Sequence, residues 1–167
     1  MRWFLAATFA VAACHSAPTD AELTRAWKRE QRAAENRHPR ATTPGNPAPC
    51  PEAGDGKKDR DRCFLSAAER VHQIAEARVA IDNVLGWLRD DCDDTALELA
   101  RERGSAILPV IADVCMVEER RLDGLRARVQ ELDDAKLTEM QLEMKAASRG
   151  MYAERLREHV GKRGAKP

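Results

Sequence analysis

The chain has 167 residues, and its 28 Lys and Arg balance 28 Asp and Glu, so the formal net charge is zero. That balance leaves no electrostatic footprint for nucleic acid or another polyanion, and an aromatic content of 4% leaves no stacking platform for bases or sugars. Beyond the first fourteen residues Ala, Arg, Glu and Leu dominate, all strong helix formers. No stretch alternates β-branched and polar residues with a period of two, so the expected fold class is all-α.

The chain opens MRWFLAATFAVAAC. Arg2 supplies a positive start, Trp3 to Val11 carry no charge, and small residues precede Cys14, which is the layout of a secretory signal. The apolar run stops at Cys14 and polar His15 and Ser16 follow, well short of the ~20 residues that span a bilayer. Val11-Ala12-Ala13-Cys14 resembles the lipobox of bacterial lipoproteins. The resemblance implies cleavage before Cys14, a diacylglyceryl group on its sulfur, and acylation of the new amino terminus. Two or more chains anchor a protein stably where one holds it only marginally. In Gram-negative lipoproteins Asp after the lipidated Cys is the inner-membrane retention signal, so His15 favours the periplasmic face of the outer membrane. The resemblance covers the export segment alone. Ordinary cleavage also fits Val11 and Ala13. Lipidation, however, leaves an even set of four cysteines, which suits an oxidising compartment. The expected organisation is therefore a signal peptide at 1–13, an anchor and N-terminal helix at 14–37, a linker at 38–62, a helical domain at 63–160, and a basic disordered tail at 161–167.

Thr19 and Glu22 have the capping-box spacing, and Pro39 disfavours helical geometry at His38, so the spacing predicts a first helix ending near Arg37. Its apolar face is thin (Leu23, Ala26, Trp27, Ala33, Ala34), with Trp27 as the expected docking point. Residues 38–62 interleave five prolines with three glycines and then a charged run, which forbids helix or interior strand. Asp55, Asp59 and Asp61 in this linker do not meet the EF-hand order, so a solvated loop is expected rather than a calcium site.

Ser66 and Glu69 form a second capping box. Phe64, Ala67, Val71, Ile74, Ile81, Leu85 and Leu88 follow in steps of three and four, a heptad-like stripe that asks for a partner helix. Acidic groups are unfavourable at a helix C-terminus and favourable at an N-terminus. Asp90, Asp91, Asp93 and Asp94 therefore predict an end near Arg89 and a short third helix from Asp94 or Thr95, stopped by Gly104. Pro109 suits the first turn of a fourth helix, which carries Val110, Ile111, Val114, Val117, Leu122, Leu125, Val129 and Leu132. At Asp133-Asp134 the apolar phase changes before Leu137, Met140, Met144, Ala147 and Met151. Either the helix breaks there, with an Asp as cap, or the stripe moves round a continuous helix. The last helical stretch is expected to end near Val160, with Arg155, Arg157, Lys162, Arg163 and Lys166 complementing the helix dipole.

Cys50, Cys63, Cys92 and Cys115 allow three pairings. Cys63 and Cys92 flank the second helix and lie about 40 Å apart at ~1.5 Å per residue, whereas a disulfide needs Cα atoms within ~7 Å. That removes Cys63–Cys92 and with it Cys50–Cys115. Of the two remaining pairings, Cys50–Cys63 with Cys92–Cys115 is preferred over Cys50–Cys92 with Cys63–Cys115. Zinc is the rival reading, but no C-x2-C pair exists.

No H-E-x-x-H, G-x-S-x-G or Gly-rich phosphate loop occurs, so no catalytic residue, cofactor or metal is expected. His72 beside the apolar seam reads as a partly buried structural histidine, and His159 as a solvated one. Met140, Met144 and Met151 read as a core seam rather than an adaptable binding surface. The expected molecule is a long antiparallel helical hairpin or small helical bundle, stapled by disulfides and held at the membrane through Cys14. The expected role is a non-catalytic envelope interaction or structural protein, with a protein partner or second copy completing its helical seams. A periplasmic inhibitor, a ligand-binding module or a chaperone-like module is the alternative, and an uncovered apolar groove would favour a binder.

Overall fold

The computed structural model describes residues 17–40, 50 and 60–164, with side chains through Gly161. The expected signal segment, the lipidation site Cys14, linker residues 41–49 and 51–59 (Asp55 and Asp59 among them) and the tail from 165 lie outside the described residues. The remainder is helical: α1 (Asp20–Arg37), α2 (Ala67–Arg103), α3 (Leu108–Arg128), α4 (Asp134–Ala146) and α5 (Met151–Gly164). No strand occurs among the described residues. The chain is an all-α, disulfide-stapled helical bundle.

The bundle is built on α2, which runs unbroken for 37 residues. Its start is fixed by Ser66, whose hydroxyl accepts the Glu69 N–H while the Glu69 carboxylate accepts the Ser66 N–H at 2.9 Å. Its end is fixed by Gly104, whose φ of +86° is open to glycine at little cost. A 3-10 turn at Ser105–Ile107 and Pro109 in the first turn of α3 then send the chain back antiparallel to α2. Leu132 and Asp133 interrupt the chain, and Asp133 caps α4 by accepting the Lys136 N–H at 2.8 Å. Residues 147–150 interrupt it again, with Gly150 at φ +84°. α4 and α5 thus follow α2 in the same direction as one segmented helix: Gln141 reaches the Gln73 carbonyl, Gly150 meets Asp91, and Arg157 pairs with Glu98.

α1 runs antiparallel to α2 and packs on both α2 and α3. Asp20 meets Arg101 at 2.8 Å, and the Trp27 indole N–H donates to Asp93 at 2.7 Å. Leu23, Trp27 and Ala34 are buried, so Trp27 docks the helix as expected. The half of the bundle nearest the α2–α3 turn therefore has four helices, and the opposite half has three. The core joins Ile81, Leu85, Leu88 and Leu99 of α2 to Ile111 and Leu122 of α3 and to Leu137, Met140, Met144 and Leu156 beyond. Each such side chain contributes ~1.5–3 kcal/mol on full burial.

The structure corrects the expected elements in three places. The short third helix does not exist separately, because α2 passes straight through Asp90–Asp94. Two of the acids there are satisfied from outside the helix. Asp91 accepts the Gly150 and Tyr152 N–H groups, Asp93 accepts from Trp27 and Gln31, and Cys92 is bonded to Cys115. Asp91 does favour a helix N-terminus, but it is that of α5. The early seam is displaced as well. Phe64 and Val71 are exposed, and Arg70 points inward instead. Its guanidinium meets the fully buried Asp134, whose other oxygen accepts the Phe64 and Leu65 N–H groups at 2.7 and 2.9 Å. Of the two alternatives open at Asp133-Asp134, the structure has the break, with Asp133 as the cap. Finally, the stretch from Leu137 to Met151 is two helices, and the second runs past Val160 to Gly164.

Candidate functional site

Both disulfides of the preferred pairing are formed. Cys50–Cys63 has Cα atoms 5.5 Å apart and Cys92–Cys115 has them 6.3 Å apart. The second bond joins the middle of α2 to α3, and both of its residues are buried. It matters for the surface because an open groove of about 490 Å³ lies over it, between α3 and α5.

The groove follows from how α5 is placed. Asp91 holds the first turn of α5 against α2, so α5 leans on α2 and stands off from α3. Leu88, Val114 and Leu156 form an apolar floor with the disulfide. Val117, on the α3 wall, is 53% exposed. Asp113 and Glu118 stand on α3, Arg155 and His159 on α5, and His38 closes one end from the end of α1. Asp113 pairs with Arg37 at 2.8 Å and lies 3.4 Å from the His38 Nε2. Glu118 accepts two hydrogen bonds from Arg121, an interaction that raises the guanidinium pKa further. Burial pushes the Tyr152 phenol up, with the Glu118 charge adding to the shift. The Arg155 guanidinium lies 5.6 Å from the centre of the Tyr152 ring.

A second groove of about 430 Å³ also reaches Leu88, Cys92 and Cys115, from the α1 side. Its rim is polar and mixed in charge, with Lys28, Arg32 and Glu35 on α1 and an Arg89–Glu119 pair at 2.6 Å. The aspartates of the acidic run share a smaller polar crevice with Arg149. No group of three or more His, Cys, Asp or Glu among the described residues is placed to hold a metal ion. No described helix is long and apolar enough to cross a membrane.

Two histidines exchange their expected roles. The His72 side chain is 70% exposed and faces Glu76 at 3.2 Å, one turn on along the outer surface of α2. His159 instead lines the groove, and its Nε2 is buried with no hydrogen-bond partner. Sequence reading missed His159 because its neighbours Glu158 and Arg157 read as a polar turn, while the i, i+3 relation to buried Leu156 was the available signal. Met140 and Met144 are buried and Met151 is half-buried against the core, so the methionine stripe is a core seam. Comparison with protein-family models, with curated proteins and with solved structures finds no match.

Proposed function

We propose that the protein is an envelope lipoprotein, anchored through Cys14, that acts without catalysis by binding a partner or ligand in the groove between α3 and α5. The observation that carries this reading is a disulfide on the floor of an open apolar groove. Intrachain disulfides persist in oxidising compartments outside the cytosol. A concave apolar surface with few polar groups around it is the usual form of a binding site. Both fit the lipobox-like segment at Val11-Ala12-Ala13-Cys14.

The test is metabolic labelling with radioactive palmitate followed by membrane fractionation. The wild-type chain takes up label and sediments with the envelope, and Cys14→Ser takes up none and is released from it. A wild-type chain that begins at Met1, carries no label and keeps its other cysteines reduced in the cytosol overturns the reading.

A further inference from the structure

The groove between α3 and α5 contains a cation that has no ion-pair partner among the described residues. Both of the carboxylates on its rim are engaged, Asp113 by Arg37 and His38, and Glu118 by Arg121 at 2.9 Å. Arg155 lies over the Tyr152 ring but makes no ion pair with any described residue. One turn further along α5, His159 carries the buried Nε2 without a partner. Residues four apart share a helix face, so guanidinium and imidazole stand above the same floor of Leu88, Val114, Leu156 and the Cys92–Cys115 bond. Val117 adds exposed apolar surface on the opposite wall.

We propose that this groove binds a single-chain amphiphile with an anionic head group, the head on Arg155 and the chain along the floor. The assignment rests on the binding reading given above and names the ligand class. The volume of about 490 Å³ falls within the ~300–1,000 Å³ of small-molecule sites. An apolar chain covers the floor and Val117, the gain being proportional to the apolar area removed from water. An anionic head fits, because the rim carboxylates already have their cations and Arg155 has no counter-anion among the described residues. A charge-assisted bond from a guanidinium to a carboxylate or phosphate is also stronger than one between neutral groups. A fatty-acid carboxylate and the phosphate of a single-chain lipid share this chemistry.

Calorimetric titration of the full chain in detergent-free buffer tests it, with laurate, dodecyl phosphate and dodecanol as probes below their aggregation limits. Both anions are expected to bind one per chain, and dodecanol at least about tenfold more weakly, as befits the loss of one charge-assisted contact. The tighter of the two anions identifies the head-group source, and either result supports the site. Arg155→Gln should remove the preference for anions and leave dodecanol unchanged, while Val117→Gln should weaken all three probes. Both side chains are exposed, and an unchanged circular-dichroism spectrum and melting curve verify the fold. Absence of saturable binding by either anion, or binding that neither variant alters, overturns the proposal. A photo-crosslinker at position 117 separates this failure from that of the broader reading. If it traps one discrete envelope protein while the amphiphiles do not bind, the amphiphile assignment falls and the binding reading stands. If nothing binds and nothing is trapped, both fall.

Discussion

The carboxylate of Asp91 accepts the backbone N–H of Gly150 at 3.0 Å, across 59 residues of chain. It also accepts the Tyr152 N–H at 3.1 Å, so a side chain in the middle of α2 caps the first turn of α5. Asp91→Ala should therefore destabilise the protein by ~1 kcal/mol, the usual cost of losing a cap. Asp91→Asn should cost less, because its amide oxygen still accepts. Asp90→Ala, one residue away and exposed, should stay within ~0.5 kcal/mol of wild type. Urea denaturation of the three variants checks this, and equal effects at the two positions would refute the capping role.

Arg70 and Asp134 form the buried charge pair of the three-helix half. The pair joins the start of α2 to the start of α4, and Arg70 also donates to the Leu132 carbonyl. Asp134→Ala would leave a buried guanidinium without its counter-charge and two backbone N–H groups without their acceptor, so a loss of ~3–5 kcal/mol is expected. Arg70→Met combined with Asp134→Leu should cost less than the two single changes together. A double-mutant cycle in urea measures the coupling. A loss below ~1 kcal/mol for Asp134→Ala would show that the pair is not buried in solution.

Stability should fall at alkaline pH through Tyr152. Burial raises its folded-state pKa above the ordinary phenol value of about 10. A group raised in this way contributes stability that is fully present below the unfolded pKa and is lost as pH rises through the folded one. Tyr152→Phe keeps the ring and removes the titrating group, so its unfolding free energy should vary less with pH from about 9 upward. At the acid end the sign reverses. Hydrogen bonds from Thr19 hold Glu22, and those from Ser66 hold Glu69, below the ordinary carboxylate range. Their contribution is present above the unfolded pKa and is lost as pH falls through the folded one. Unfolding curves collected across the pH range measure both limbs.

What the sequence shows most clearly is what depends on near neighbours. The capping boxes at Thr19–Glu22 and Ser66–Glu69, Pro109 in a first turn and Gly104 as a stop each involve residues within one turn, and each is found. The cysteine pairing was legible in part: the length of a helix excludes one of the three pairings, and of the two it leaves open the structure has the preferred one. The errors have distant causes. Arg70 turns inward and Val71 outward because Asp134 waits 64 residues away. The acidic run does not end α2 because Trp27, Gln31 and the first turn of α5 supply its donors. The break before α5 did carry a local signal in Gly150, which the regular spacing from Met144 to Met151 concealed. The groove had none, since it depends on how far α5 stands from α3.

The length of α2 has a consequence for how the molecule comes apart. The same 37-residue helix is a wall of the four-helix half and of the three-helix half. Neither half possesses an interior that closes without it. Local melting at either end would strip the covering from apolar residues on a segment still committed to the other end. The two halves are therefore thermodynamically fused into a single all-or-none unit, although the helices packed on α2 differ from one half to the other.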